Sequence, residues 1–237
     1  MTGIFMNYLA TSRTIEATTS SIVSTNLLLH LDAGNSASYP GSGSTWTNLV
    51  SAGLKGSLGA GVTYSAADGG SLAFNGGPVA VVTITTASTV TSITNNITTE
   101  VWYKASTRQP RLVATGVGSN GFCFGYFSTT GTAWKVSKYG KVDLSAGTIP
   151  SNTSTWHQAV LVYSSTEGTS VYIDGAFSGS TSPVNTATIA ASTTMYIGRV
   201  ETTYHSGNIS VVRVYNKVLS ASEIQQNFNA NRARYGL

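Results

Sequence analysis

A chain of 237 residues with 41% hydrophobic side chains can build one sizeable core, and its formal charge of +4 rests on only 13 basic and 9 acidic residues. The basic residues are scattered, with no dense run and no basic helix, which excludes a nucleic-acid-binding stripe. No apolar run approaches the roughly 20 residues of a membrane span, and a single cysteine, Cys123, excludes an intrachain disulfide.

Charged residues make up 9% of the chain, against roughly 25% in an ordinary soluble domain. Serine, threonine, asparagine and 25 glycines take their place. Such a surface suits short strands with many turns, and packing beside copies or neighbours. Residues 1–10, MTGIFMNYLA, lack the positive leader and apolar length of a signal peptide, so synthesis and folding in a cytoplasm are expected. Residues 1–25 read as a polar N-terminal arm, a kind of segment that stays loose unless something ties it down. Its tie is a neighbouring subunit, the domain itself, or an extra strand on the domain's own sheet.

From residue 26 onward the pattern is that of short strands. Asn26–Leu31 opens the series, and His30 within it reads as a satisfied core or edge histidine. Asp32 closes that strand, and Pro40, Gly41 and Gly43 break the loop that follows. Strands are expected at Ser71–Asn75, Val79–Ile84, Thr98–Tyr103, Arg111–Thr115 and Phe122–Phe127, then at Ala133–Tyr139 and Lys141–Leu144. Trp156 opens a hairpin, HQAVLVY and TSVYIDG, with Asp174-Gly175 as a tight turn after it. Met195–Gly198 and Gly207–Tyr215 complete the set. One helix is expected: Ser220 and Glu223 form a capping box, and Ile224 and Phe228 share one face of a helix ending near Asn229 or Ala230. Arg232 and Arg234 read as a solvated chain end. About a dozen strands without alternating helices make an all-β, antiparallel two-sheet sandwich.

The ordered series SLAFNG, TTEVWYK, STWHQAVLVY, VYIDG, MYIGR and GNISVVRVYNKVLSASEIQQNFNANRARYGL resembles the laminin-G-like, concanavalin A-like jelly-roll superfamily, of the type found in phage virion proteins. The resemblance covers roughly residues 22–237, and its closing strands and helix are the most specific part. It implies a jelly-roll sandwich whose buried tryptophan is Trp102. It also implies a binding module for glycans or proteins, or a component that holds a particle together, with a ligand site on rim loops and often a calcium ion. The expected division is an arm, 1–25, for assembly, and a jelly-roll domain, 26–237.

Calcium needs several oxygen ligands, including carboxylates brought together. The acidic residues here are spread singly, with Asp32, Asp68 and Asp174 all explained by turns or strand ends, so no cofactor is expected. Glycan cleavage in this superfamily needs paired carboxylates. The Glu-x-Asp-x-Glu pattern is absent, Glu100 and Glu16 stand alone, and no G-x-S-x-G elbow is present. The expectation is therefore a non-enzymatic protein. Glycan binding needs exposed aromatic platforms with polar groups nearby. Trp134, Arg199, Tyr204 and His205 are the candidate carbohydrate-binding residues, because RVETTYHSG is polar around its ring residues. Trp46 and Tyr39 are aromatics with a plainer fate beneath a loop.

The functional expectation is a virion structural protein: a capsid decoration, fibre or tail component, made in the host cytoplasm. Its partners would be other virion or capsid proteins, with a homo-oligomer formed through the arm, and no nucleic acid or membrane. The alternative is a carbohydrate-binding module for attachment to cell-surface glycans.

Overall fold

The structure, a computed structural model, describes residues 21–85, 90, 95–116, 122–125, 132–138, 142–181 and 192–237, with backbone alone for 137, 138 and 142–144. The first strands in chain order are β1 (Leu27–Asp32), β2 (Thr45–Thr47), β3 (Lys55–Leu58), β4 (Val62–Ser65), β5 (Ser71–Asn75), β6 (Val82–Thr85), β7 (Asn96–Ala105), β8 (Arg111–Thr115) and β9 (Phe122–Gly125). They are followed by β10 (Ala133–Lys138), β11 (Val142–Thr148), β12 (His157–Ser164), β13 (Gly168–Ile173), β14 (Ala176–Thr181), β15 (Thr194–Ile197), β16 (Arg199–Val200), β17 (Thr203–Tyr204) and β18 (Ser206–Tyr215). A helix, α1, spans Ala221–Asn231 and tightens into a 3-10 turn over Arg232–Tyr235.

Two antiparallel sheets stack face to face. The first runs β14-β13-β12-β7-β18-β5-β4, and the second β11-β10-β9-β8-β15-β6-β3-β2. β18 is long enough for one edge to serve two neighbours: its first half pairs with β5 and its second half with β1, while β7 takes the other edge. At one side the sheets close on each other at β11 and β14. There a Cβ added to Gly179 would lie 2.6 Å from the backbone nitrogen of Gly147, so only glycine lets the two strands cross.

Strand alternation decides which side chains meet between the sheets. From the first sheet, Val101 and Tyr103 of β7, Leu161 of β12 and Val212 of β18 point inward. Trp46, Phe124, Trp134 and Ile197 come from the second, all buried. The positions between them form two further layers. On the outer face of the first sheet, Trp102 and Val211 pack with Trp156, Phe228 and Tyr235. On the outer face of the second, Ala114 and Cys123 lie beneath Val200.

The outer layer on the first sheet explains the helix. The Ser220 hydroxyl accepts from the Glu223 amide while the Glu223 carboxylate accepts from the Ser220 amide, which is the capping box read from the sequence. Ile224 and Phe228 are then presented to the sheet. Trp102 is stacked between Phe228, 5.7 Å away and 3° from parallel, and Tyr235, 4.4 Å away. Such aromatic pairs add about 0.5–1.5 kcal/mol beyond the area they bury.

The helix also covers a polar cluster. Glu100 of β7 and Arg213 of β18 are cross-strand partners and both are buried. Arg213 donates to Glu100 Oε1 at 2.7 Å, joined by Gln158 at 3.0 Å and Trp102 Nε1 at 3.1 Å, and Asn227 donates to Oε2 at 2.8 Å. Four donors stabilise a carboxylate that burial alone would penalise heavily.

Several elements depart from the sequence reading. β2 lies within the stretch that reads as loop, and β3 and β4 fall where no strand is expected, since three- and four-residue strands carry too few alternations to register. β14 lies at the start of a Ser/Thr-rich tract. α1 continues to Asn231, and Arg234 is tied down rather than solvated: its guanidinium donates to Asp32 at 2.7 Å, to the Gly70 carbonyl and to the Ser210 hydroxyl. The expected arm falls outside the described residues up to residue 20. Of the rest, Val23 is buried against Val160, Val162 and Ile224.

Candidate functional site

β16 and β17 form a small hairpin separate from both large sheets. It turns at Glu201 and Thr202, with Glu201 at φ +52°, in the left-handed region. Arg199 and Tyr204 are direct cross-strand partners, as are Val200 and Thr203. Val200 points down onto Ala114 and Cys123 and fixes the hairpin to the outer face of the second sheet. Arg111 donates from Nε to the Thr203 hydroxyl, 3.1 Å, and Thr203 donates to the Val200 carbonyl, 2.7 Å. Gly198 precedes the hairpin at φ +80°, where a Cβ would lie 2.4 Å from the Phe74 ring; glycine is required for both reasons.

The upper side of the hairpin is the candidate site. Tyr196 lies between Met195 and Ile197, which face the core, so its ring faces outward beside the hairpin. The Arg199 guanidinium carbon stands 4.8 Å from the Tyr196 ring centre and 5.9 Å from that of Tyr204. Its Nε donates to the Glu201 carbonyl at 2.6 Å. That bond orients the planar fork, whose terminal nitrogens make no hydrogen bond to the described residues. Cation–π contact holds the three side chains together with about 0.5–1 kcal/mol for each exposed pair. The result is a half-exposed surface of two phenol rings around an outward-facing guanidinium.

Two of the four expected site residues are not part of it. Trp134 is fully buried, with Phe124 at 4.9 Å and Tyr103 edge-on at 5.8 Å, so it belongs to the core and offers no ring to a ligand. His205 follows Tyr204 by one residue, and alternation turns it inward. It is fully buried, edge-on to Phe74 at 5.8 Å, and burial lowers its pKa from 6.5 to about 4. Its Nδ1 accepts from the Arg111 amide at 3.4 Å, which keeps that nitrogen deprotonated. Polar neighbours in the sequence belong to the turn and say nothing about the side of the strand on which His205 falls. Arg199 and Tyr204 are brought together, and Tyr196 joins them, a residue the sequence reading passed over as part of a strand. Tyr39 and Trp46 are both buried.

Five of the carboxylates are engaged away from the hairpin. Asp32 pairs with Arg234, Asp68 with Lys104, Glu100 with Arg213, and Glu223 with Lys217. Asp174 accepts from the His157 ring at 2.8 Å and from the Gln158 amide. Among the described residues no three His, Cys, Asp or Glu side chains come together as a metal site requires.

Residues 75–225 match the family profile described as the concanavalin A-like lectin/glucanases superfamily, of laminin-G type. The chain belongs to this superfamily. Solved structures with the same lectin-like fold include the binding domain of botulinum neurotoxin serotype G, 14% identical with a TM-score of 0.64, over 86% of this chain and 50% of that one. Another is botulinum neurotoxin type C, whose cell entry depends on interaction with two ganglioside molecules, at 12% identity, TM-score 0.66, and 86% and 51% coverage. A third is the Trypanosoma rangeli sialidase, 17% identical, TM-score 0.65, over 90% of this chain and 34% of that one. This lectin-superfamily chain thus spans about half the length of the toxin chains and about a third of the sialidase. No curated protein sequence matches the chain.

Proposed function

We propose that this protein is a non-enzymatic carbohydrate-binding domain that takes a saccharide on the Tyr196–Arg199–Tyr204 surface. The observation that carries the reading is the guanidinium held between two outward phenol rings with its terminal nitrogens unspent. Phenol rings offer flat apolar faces to the C–H side of a sugar. The terminal nitrogens offer a planar fork to a carboxylate or to adjacent hydroxyls. Fold neighbours that are toxin binding domains, one of them interacting with gangliosides, support the same class of ligand. The non-enzymatic part is supported by the ion pairs that engage Asp32, Asp68, Glu100 and Glu223, which withdraw those four from the free carboxyl pair that most glycosidases use.

A place on a virus particle, with assembly through the N-terminal arm, is favoured by a separate observation. The Ser21 carbonyl accepts from Gln226 of α1 on the outer face of the first sheet. The hairpin lies on the outer face of the second. Ser21 and the hairpin thus lie on opposite outer faces, which suits a protein held through its N-terminal arm and presenting the hairpin to a host. The charge-poor composition suits close packing with like neighbours.

A glycan array probed with the full chain, displayed multivalently, tests the first reading. Reproducible saccharide hits that disappear in Arg199→Ala and Tyr204→Ala are expected; a blank array, or hits unaltered in both variants, overturns it. For assembly, deletion of residues 1–20 is expected to abolish oligomers seen by light scattering; unchanged assembly overturns that role for the arm.

A further inference from the structure

On the face opposite the hairpin, β7 and β18 end side by side, and the chain between β11 and β12 folds over their ends. The space between is a groove of about 270 Å³ lined by Lys104, Ser106, Thr153, Ser154, Gly207 and Asn208. Asn208 and Lys104 are cross-strand partners, so their side chains leave the sheet together. Gly207 supplies the floor. It sits at φ +138°, and a Cβ there would lie 2.1 Å from the Lys104 carbonyl, so no side chain can fill the space.

The groove's polar groups are only partly spent within the protein. Asn208 uses its amide nitrogen on the Ser71 hydroxyl, 3.1 Å, which turns its carbonyl oxygen away as an acceptor. The hydroxyls of Ser106 and Thr153 make no hydrogen bond to the described residues. Lys104 uses one of its protons on Asp68 Oδ2 at 3.2 Å. The groove thus collects donors and acceptors within a volume a little below the roughly 300–1,000 Å³ of drug-sized sites. Its charge is balanced, because Asp68 stands beside Lys104. Asp68 is itself fixed by Trp156 Nε1 at 2.8 Å and by Arg234, which donates to its backbone carbonyl.

We propose that this groove is a second ligand site, independent of the hairpin, for a single neutral sugar ring. Adjacent hydroxyls on such a ring both donate and accept, which matches a carboxamide oxygen, two hydroxyls and an ammonium. The Lys104–Asp68 pair disfavours an acidic sugar, since a ligand carboxylate would have to displace Asp68 or lie against it. Arg199 on the other face keeps its terminal nitrogens free of hydrogen bonds to the described residues, and the two sites differ in the ligands they select.

Saturation-transfer NMR on the full chain tests this with methyl mannoside, methyl glucoside, methyl galactoside and glucuronate as probes. Saturation of at least one neutral hexoside is expected, with affinity falling about tenfold or more in Asn208→Leu and in Thr153→Val. Arg199→Ala should leave that signal in place. Thr153 lies in a loop, so its variant reports on the site even if Asn208→Leu fails to fold. Absence of transfer to every neutral hexoside overturns the proposal, as does transfer unaffected by Thr153→Val or glucuronate binding equally well. A signal lost in Arg199→Ala but kept in Thr153→Val overturns the groove and leaves the hairpin reading standing.

Discussion

The backbone amide of Val23 donates to the side-chain oxygen of Asn227 at 2.8 Å, across 204 positions of sequence. The same carboxamide donates to Glu100 and to the Tyr215 hydroxyl. The segment that leads in from the N-terminus is therefore bonded to the group that satisfies the buried carboxylate. Removing residues 1–25 exposes apolar surface and strands the Asn227 oxygen, at a cost of about 1–3 kcal/mol. Urea denaturation of this truncation beside the full chain measures the loss.

Glu100 and Arg213 are both shielded from water, so removal of either leaves an uncompensated charge. Glu100→Ala should destabilise the domain by about 3–5 kcal/mol. Replacing both partners by apolar residues of similar volume should cost far less. Equilibrium unfolding of the single and double variants checks this, and equal losses would show that the pair does not act as a unit.

Three histidines give the domain a pH dependence of definite sign. Burial holds His30 and His205 neutral, lowering their pKa values from 6.5 to about 3 and about 4. The unfolded chain takes up those protons first, so their contribution is complete above pH 6.5 and is lost as the pH falls towards these folded values. His157 acts in the opposite sense. Burial lowers its pKa, but the Asp174 hydrogen bond and charge and the Asn152 carbonyl together raise it. Its contribution is present below pH 6.5 and is lost as the pH rises through the raised value. Denaturation midpoints should thus fall below pH 6.5. His205→Gln should flatten that fall, and His157→Gln should cost more near about pH 5 than near about pH 8.

Gly198→Ala should weaken both the fold and the hairpin site, because the new methyl meets the Phe74 ring and the backbone is left-handed. The loss should exceed about 1 kcal/mol. Thermal unfolding measures the first effect, and the glycan array reads the second.

Much of this arrangement was legible because it is local. The capping box at Ser220 and Glu223 spans three residues, and the hairpin of β12 and β13 carries dense alternation of Val, Leu and Tyr. What escaped was set by distant partners. Glu100 reads as a lone acid because Gln158, Arg213 and Asn227 lie 58, 113 and 127 positions away. β14, AFSGST, has little alternation of its own and is shaped by pairing with β13 and by the crossing at Gly147. At the hairpin, RVETTYHSG shows polar surroundings but not the faces: Tyr204 lies beside Arg199 outside, while His205 enters the core.

Cys123 is the one thiol in the chain, and it lies fully buried beneath Val200. Among the described residues its cover is Val200 of a two-strand hairpin with a two-residue turn. Reaction of that sulfur with a disulfide reagent therefore clocks the lifting of the hairpin, with no label to be engineered. If the proposed saccharide bridges Arg199 and Tyr204, it is expected to slow that reaction, so the outside site would be read from the chemistry of a single atom inside.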